Sequence, residues 1–120
     1  MSDRRILVVD DEPGVLSALI RLFVRNGFDV DTASSAEEGF VKMREESAQV
    51  VVSDHNMPSV KGLEFLRLLK AEFPDAVGIL LTGVADKQLA IEAINEGVVY
   101  RFLEKPWENE YLLASVRQAF

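Results

Sequence analysis

At 120 residues, with 48% hydrophobic and 28% charged side chains, the chain has the length and balance of one globular domain and little room for a second. Its net charge of −7 argues against nucleic acid as a direct partner, because that binding depends on Lys and Arg neutralising phosphates, and the lack of cysteine excludes disulfides, thiolate metal sites and thiol nucleophiles. No apolar run approaches the roughly 18–20 residues of a membrane span, and the N-terminus lacks signal-peptide character, so a cytoplasmic location is expected.

Short apolar runs alternate with longer amphipathic stretches. Ile6–Val9 reads as the first strand, followed by a helix with the stripe Val15, Leu16, Leu19, Leu22 and Phe23. Pro13 suits that helix's first turn, and Gly27 suits a left-handed cap beyond its end. Val30–Ala33 is the second strand. Ser35 with Glu38 reads as a capping box for a second helix, marked by Phe40, Val41, Met43 and Arg44. Val50–Val52 is the third strand, and Leu63, Phe65, Leu66 and Leu69 mark a third helix that Pro74 stops. Gly78–Leu81 is the fourth strand. The fourth helix carries Leu89, Ala90, Ala93 and Ile94, with Asp86 as its expected cap and Gly97 closing it. Tyr100–Leu103 is the fifth strand, followed by a helix with Tyr111, Leu112, Ser115, Val116 and Ala119. The first, third and fourth strands are almost continuous Val, Ile and Leu, as for strands covered on both faces. The pattern predicts a (βα)₅ α/β domain over residues 1–120, one doubly wound, open parallel sheet with helices on both faces.

In such sheets ligands bind beyond the carboxyl ends of the strands. Those ends carry Asp10-Asp11-Glu12, Ser53-Asp54-His55-Asn56, Thr82-Gly83 and Glu104-Lys105-Pro106. Carboxylates gathered from two strands stay ionised together only if positive charge lies among them. An oxygen-only ligand set favours a hard cation, Mg²⁺ first. Each residue alone is an ordinary turn former; their joint placement after four strands is not explained by turns.

These residues resemble the response-regulator receiver family of two-component signalling. The matching elements are Val8-Val9-Asp10-Asp11, Asp54-His55-Asn56-Met57-Pro58 with Gly62, Leu81-Thr82-Gly83, and Phe102-Leu103-Glu104-Lys105-Pro106. The resemblance covers essentially the whole chain and implies a flavodoxin-like, CheY-like sheet of five strands in the order 2-1-3-4-5. It implies that Asp54 accepts a phosphoryl group from a phosphohistidine on a sensor histidine kinase or phosphotransfer protein. By the same resemblance Asp10, Asp11, Asp54 and the backbone carbonyl of Asn56 hold Mg²⁺, Lys105 pairs with Asp54 and later with the phosphoryl group, and Thr82 binds another phosphoryl oxygen. Thr82 and Phe102 form the switch, and the face of the fourth helix, fifth strand and fifth helix is the output and a plausible homodimer surface.

The expected protein is thus a phosphorylation switch that catalyses its own phosphoryl transfer and slow dephosphorylation, not an enzyme of turnover. Apolar Val84 argues against fast hydrolysis, since it cannot orient a water. His55 is expected to be an exposed loop residue, and Trp107 an anchor for the fifth helix. The stretch from Ala93 to Trp107 looks like receivers attached to HD-type cyclic-dinucleotide phosphodiesterases or other signalling outputs. Three alternatives fit less well. An aspartyl phosphatase would carry Asp-x-Asp on the first strand. A flavin module would need a Ser/Thr/Gly-rich loop there, and a receiver signalling without phosphate would lack one of the acids or the lysine.

Overall fold

The computed structural model describes residues 4–120. Five strands and five helices alternate: β1 Arg5–Val9, α1 Pro13–Arg25, β2 Asp29–Ala33, α2 Ala36–Glu45, β3 Val50–Asp54, α3 Gly62–Glu72, β4 Val77–Thr82, α4 Lys87–Asn95, β5 Arg101–Glu104 and α5 Asn109–Ala119. The strands are parallel in the order β2-β1-β3-β4-β5. The chain steps outward from β1 to β2 and returns to β3 on β1's other side, which opens a crevice beyond the carboxyl ends of β1 and β3.

Alternation along the strands splits the core in two. Leu7, Val9, Val51 and Leu80 point to the face covered with Met43, Phe65, Leu69 and Ala90 from α2, α3 and α4. Ile6, Val8, Val52, Ile79 and Leu81 point to the opposite face, against Leu19, Phe23, Leu112 and Val116 from α1 and α5. The central strands are therefore buried on both sides, which is why their sequences are apolar without alternation.

Helix ends follow local chemistry. Pro13 occupies the start of α1, and Gly27 (φ +87°) and Gly97 (φ +80°) adopt the left-handed conformation after α1 and α4. Ser35 Oγ accepts the Glu38 N–H at 3.1 Å, while the Glu38 carboxylate reaches back to the N–H of Ser34, one residue beyond a reciprocal box. At the far edge, Arg5 pairs with Asp29 and Asp31 at 2.9 and 3.0 Å, and Lys42 with Asp31 at 3.3 Å, so β2 is laced by charge.

Several expected details are corrected. Asp86 does not cap α4 through its side chain: it ends a 3₁₀ turn, Val84–Asp86, that leads directly into the helix. The fifth strand begins and ends one residue later than Tyr100–Leu103. Val41 and Tyr111 are exposed, because α2 buries Ala36, Gly39 and Met43, and α5 buries Leu112, Leu113, Ser115 and Val116. Leu89 is likewise exposed, α4 lying on Ala90 and Ala93.

Candidate functional site

The crevice between β1 and β3 gathers the acids. Asp10 directly follows β1 and Asp54 ends β3, both almost wholly buried, while Asp11 stands exposed at the rim. One carboxylate oxygen from each of these three residues lies within 4.8 Å of the others. Asp10 Oδ1 accepts the N–H of Glu12 at 2.9 Å, which fixes the carboxylate across the turn after β1. Its Oδ2 is buried with no hydrogen-bond partner among the described residues. A buried carboxylate oxygen without a donor is costly in a protein interior. Three carboxylates within 4.8 Å of one another suit a divalent cation with oxygen ligands, so the residues fit Mg²⁺.

The electrostatics carry the same mark. Burial raises the Asp10 carboxyl to about 6; the Glu12 amide opposes the rise and the Asp54 carboxylate adds to it. Lys105 completes the cluster, with Nζ 2.6 Å from Asp54 Oδ1. Burial pulls the Lys105 ammonium down, but Asp54, Asp10 and Glu12 together outweigh it and the net shift is upward. Lys105 is thus held as a cation against Asp54.

Backbone hydrogen bonds at the strand ends hold these groups in register. The His55 N–H donates to Leu81 O at 2.9 Å and the Lys105 N–H to Thr82 O at 2.9 Å. Asp54, Thr82 and Lys105 therefore sit side by side on β3, β4 and the turn after β5. Thr82 is fully buried, and its hydroxyl donates to Gly83 O at 3.3 Å. Asn56 lies exposed in the segment between β3 and α3, and the three-carboxylate cluster forms without its side chain. Phe102, opposite Leu80 on β5, is half-buried against the α2–α3–α4 side of the core. It also lines a groove of about 730 Å³ with Lys87, Ile94, Arg101, Trp107 and Tyr111. Trp107 packs on the opposite core layer, beside α5, as expected of an anchor.

His55 departs from expectation, because it is buried. Its Nδ1 accepts the N–H of Leu63 at 3.3 Å and its carbonyl accepts the N–H of Gly62 at 2.9 Å, so it caps α3, whose own capping position, Lys61, makes no side-chain bond. Gly62 is required at this junction: a Cβ there would overlap the carbonyl oxygen of Asp54. The glycine lets α3 begin against the backbone that carries Asp54.

Comparison with known proteins identifies the family. The family model of the response regulator receiver domain matches residues 6–117. The hydrogenase transcriptional regulatory protein HoxA of Cupriavidus necator is 36% identical over 99% of this chain, which spans 25% of that regulator's length. A response regulator receiver domain protein from Clostridium thermocellum is 36% identical, with a TM-score of 0.91 over 97% of this chain and 93% of that one. The signal receiver domain of an HD domain-containing protein from Pseudomonas fluorescens Pf-5 is 32% identical, with a TM-score of 0.91 over 98% of this chain and 94% of that one. The chain belongs to the response regulator receiver family, and it is a receiver domain of two-component signalling.

Among the described residues, no helix is long and apolar enough to cross a membrane.

Proposed function

We propose that Asp54 is the phosphoacceptor of this receiver, taking a phosphoryl group from a phosphohistidine of a sensor histidine kinase or phosphotransfer protein. The observation that carries the proposal is the convergence of Asp10, Asp11 and Asp54 on one point, with Lys105 paired to the Asp54 carboxylate. An Asp54 oxygen attacks phosphorus as the P–N bond to the donor imidazole breaks; the electron pair stays on that nitrogen, and the ring leaves neutral because its other nitrogen carries a proton. Asp10, Asp11 and Asp54, with the Asn56 carbonyl, would hold Mg²⁺. Bound there, the cation supplies the neutralisation that lets a carboxylate approach an anionic phosphoryl group. Lys105 stabilises charge on one phosphoryl oxygen, and the Thr82 hydroxyl turns from Gly83 O to donate to another.

Readout follows from the same displacement. Movement of Thr82 vacates space behind it, and Phe102 on the neighbouring strand packs inward, altering the face of α4, β5 and α5. Tyr100, Leu89 and Tyr111 are exposed there, which suits an output partner or a second copy. In a longer protein that partner is an output domain, such as an HD-type phosphodiesterase module or a transcriptional regulator.

The reading is tested by incubating the chain with Mg²⁺ and a small acyl phosphate or phosphoramidate, then weighing it. One phosphoryl mass is gained, and Asp54→Asn abolishes the gain. Phosphorylation persisting in Asp54→Asn, or steady hydrolysis of a phosphate ester, would overturn it.

A further inference from the structure

One imidazole–carboxylate contact and one ion pair outside the carboxylate cluster converge on consecutive residues at the start of α4. His55 Nε2 stands 3.8 Å from Asp86 Oδ1, and Lys87 Nζ stands 3.1 Å from Glu104 Oε1. His55 directly follows Asp54, and Glu104 directly precedes Lys105. Asp54 and Lys105 are the pair that meets at 2.6 Å in the site. The first turn of α4 is therefore joined to the residues flanking both members of that pair.

The backbone of each anchor is held in place. The Nδ1 of His55 accepts from the Leu63 backbone, so a neutral imidazole carries its proton on Nε2, facing the Asp86 carboxylate. The His55 side chain is 7% exposed, and its backbone is bonded on one side to β4 and on the other to the start of α3. Glu104 lies in register with Thr82, and the next residue's N–H is bonded to Thr82 O. A displacement of the Asp54 or Lys105 backbone is carried directly into His55 or Glu104, the residues next to them in the chain.

We propose that His55–Asp86 and Glu104–Lys87 form a two-point clamp that reports the state of the Asp54–Lys105 pair to the N-terminal end of α4. While the pair is closed, both contacts hold that end and the 3₁₀ turn before it in the resting position. When Lys105 leaves the carboxylate, Glu104 and His55 move apart and the turn is released. The clamp rests on the proposed phosphoacceptor role for what opens the pair in signalling, but the mechanical link does not. Each contact is weak, as partly exposed charge pairs are, yet small biases decide populations in a two-state element.

The test is amide hydrogen exchange over residues 84–90 of the metal-free, unphosphorylated chain. Asp86→Asn and Lys87→Gln each speed exchange there by about two- to five-fold, the range of a partly exposed ion pair. The charge-exchanged double variant Lys87→Glu with Glu104→Lys returns it toward the starting rate. Asp54→Asn, and independently Lys105→Gln, speed the same amides although neither residue lies on α4. The clamp is overturned if both pair-breaking variants leave these amides unchanged, or if the exchanged pair fails to restore protection. Failure of the phosphoacceptor reading would show instead as no phosphoryl mass on the parent chain, with the exchange pattern intact.

Discussion

Asp10 shows how one buried carboxyl links the site to the stability of the whole chain. Its folded-state value of about 6 lies above the ordinary 3.8, so between those values the folded chain keeps a proton that the unfolded chain has lost. The metal-free protein should therefore become more stable as pH falls from 7 to 5, with the gain levelling off below about 4, where the unfolded chain is protonated too. Urea midpoints measured in a chelator at pH 7, 6 and 5 check this, and Asp10→Asn should flatten the slope. A parent chain equally stable at pH 7 and 5 would contradict it. The place of this carboxyl at a strand end was legible in Asp10-Asp11 after an apolar strand. Its orphaned oxygen was not, because that depends on how the Glu12 amide divides the two oxygens. His55 was misread for a related reason. A histidine in a loop looks exposed until one sees that Lys61 leaves α3 without a side-chain cap and the imidazole takes its place.

At the scale of elements, the junction of β3 and α3 leaves no room for a side chain at residue 62. A methyl group on residue 62 would meet the Asp54 carbonyl carbon at 2.8 Å and its oxygen closer still, and backbone cannot swing away as a side-chain tip can. Gly62→Ala should cost about 1–3 kcal/mol, as overpacking does, and should impair phosphoryl uptake more than a matched destabilisation elsewhere. Denaturant midpoints and phosphorylation rates measured against Val116→Ala provide the comparison, since that truncation loosens the buried face of α5 away from the acids. Equal phosphorylation rates in the two variants would remove Gly62 from the site's architecture. The elements themselves were readable from periodicity and caps, down to Pro13 and Ser35. What failed was facing: Val41, Leu89 and Tyr111 look like core residues in a linear stripe, but small neighbours such as Gly39, Ala90 and Ala93 let their helices seat on other residues. Asp86 failed as a cap because a 3₁₀ turn, invisible to a helical pattern, fills the approach to α4.

For the molecule as a whole, a cation at the cluster should behave as a ligand of the folded state alone. Mg²⁺ at about ten times its dissociation constant should add roughly 1.4 kcal/mol to the unfolding free energy, because the unfolded chain cannot assemble three carboxylates. Thermal melts across a Mg²⁺ series test this, with Asp11→Ala, exposed and cheap to replace, expected to shift the dependence to higher concentration. A melting temperature indifferent to Mg²⁺ would argue that the acids do not bind it. The two edges of the sheet also differ in what they offer to another chain. At β2 the outermost backbone is flanked by Asp29 and Asp31, held by Arg5 and Lys42, and any strand laid against it would have to strip water from that charge lattice. At β5 the border is a short strand beside a groove, with Tyr100 and Tyr111 uncovered. The two borders are therefore unlike as surfaces: β2 presents fixed charge to an approaching strand, while β5 presents uncovered aromatic rings.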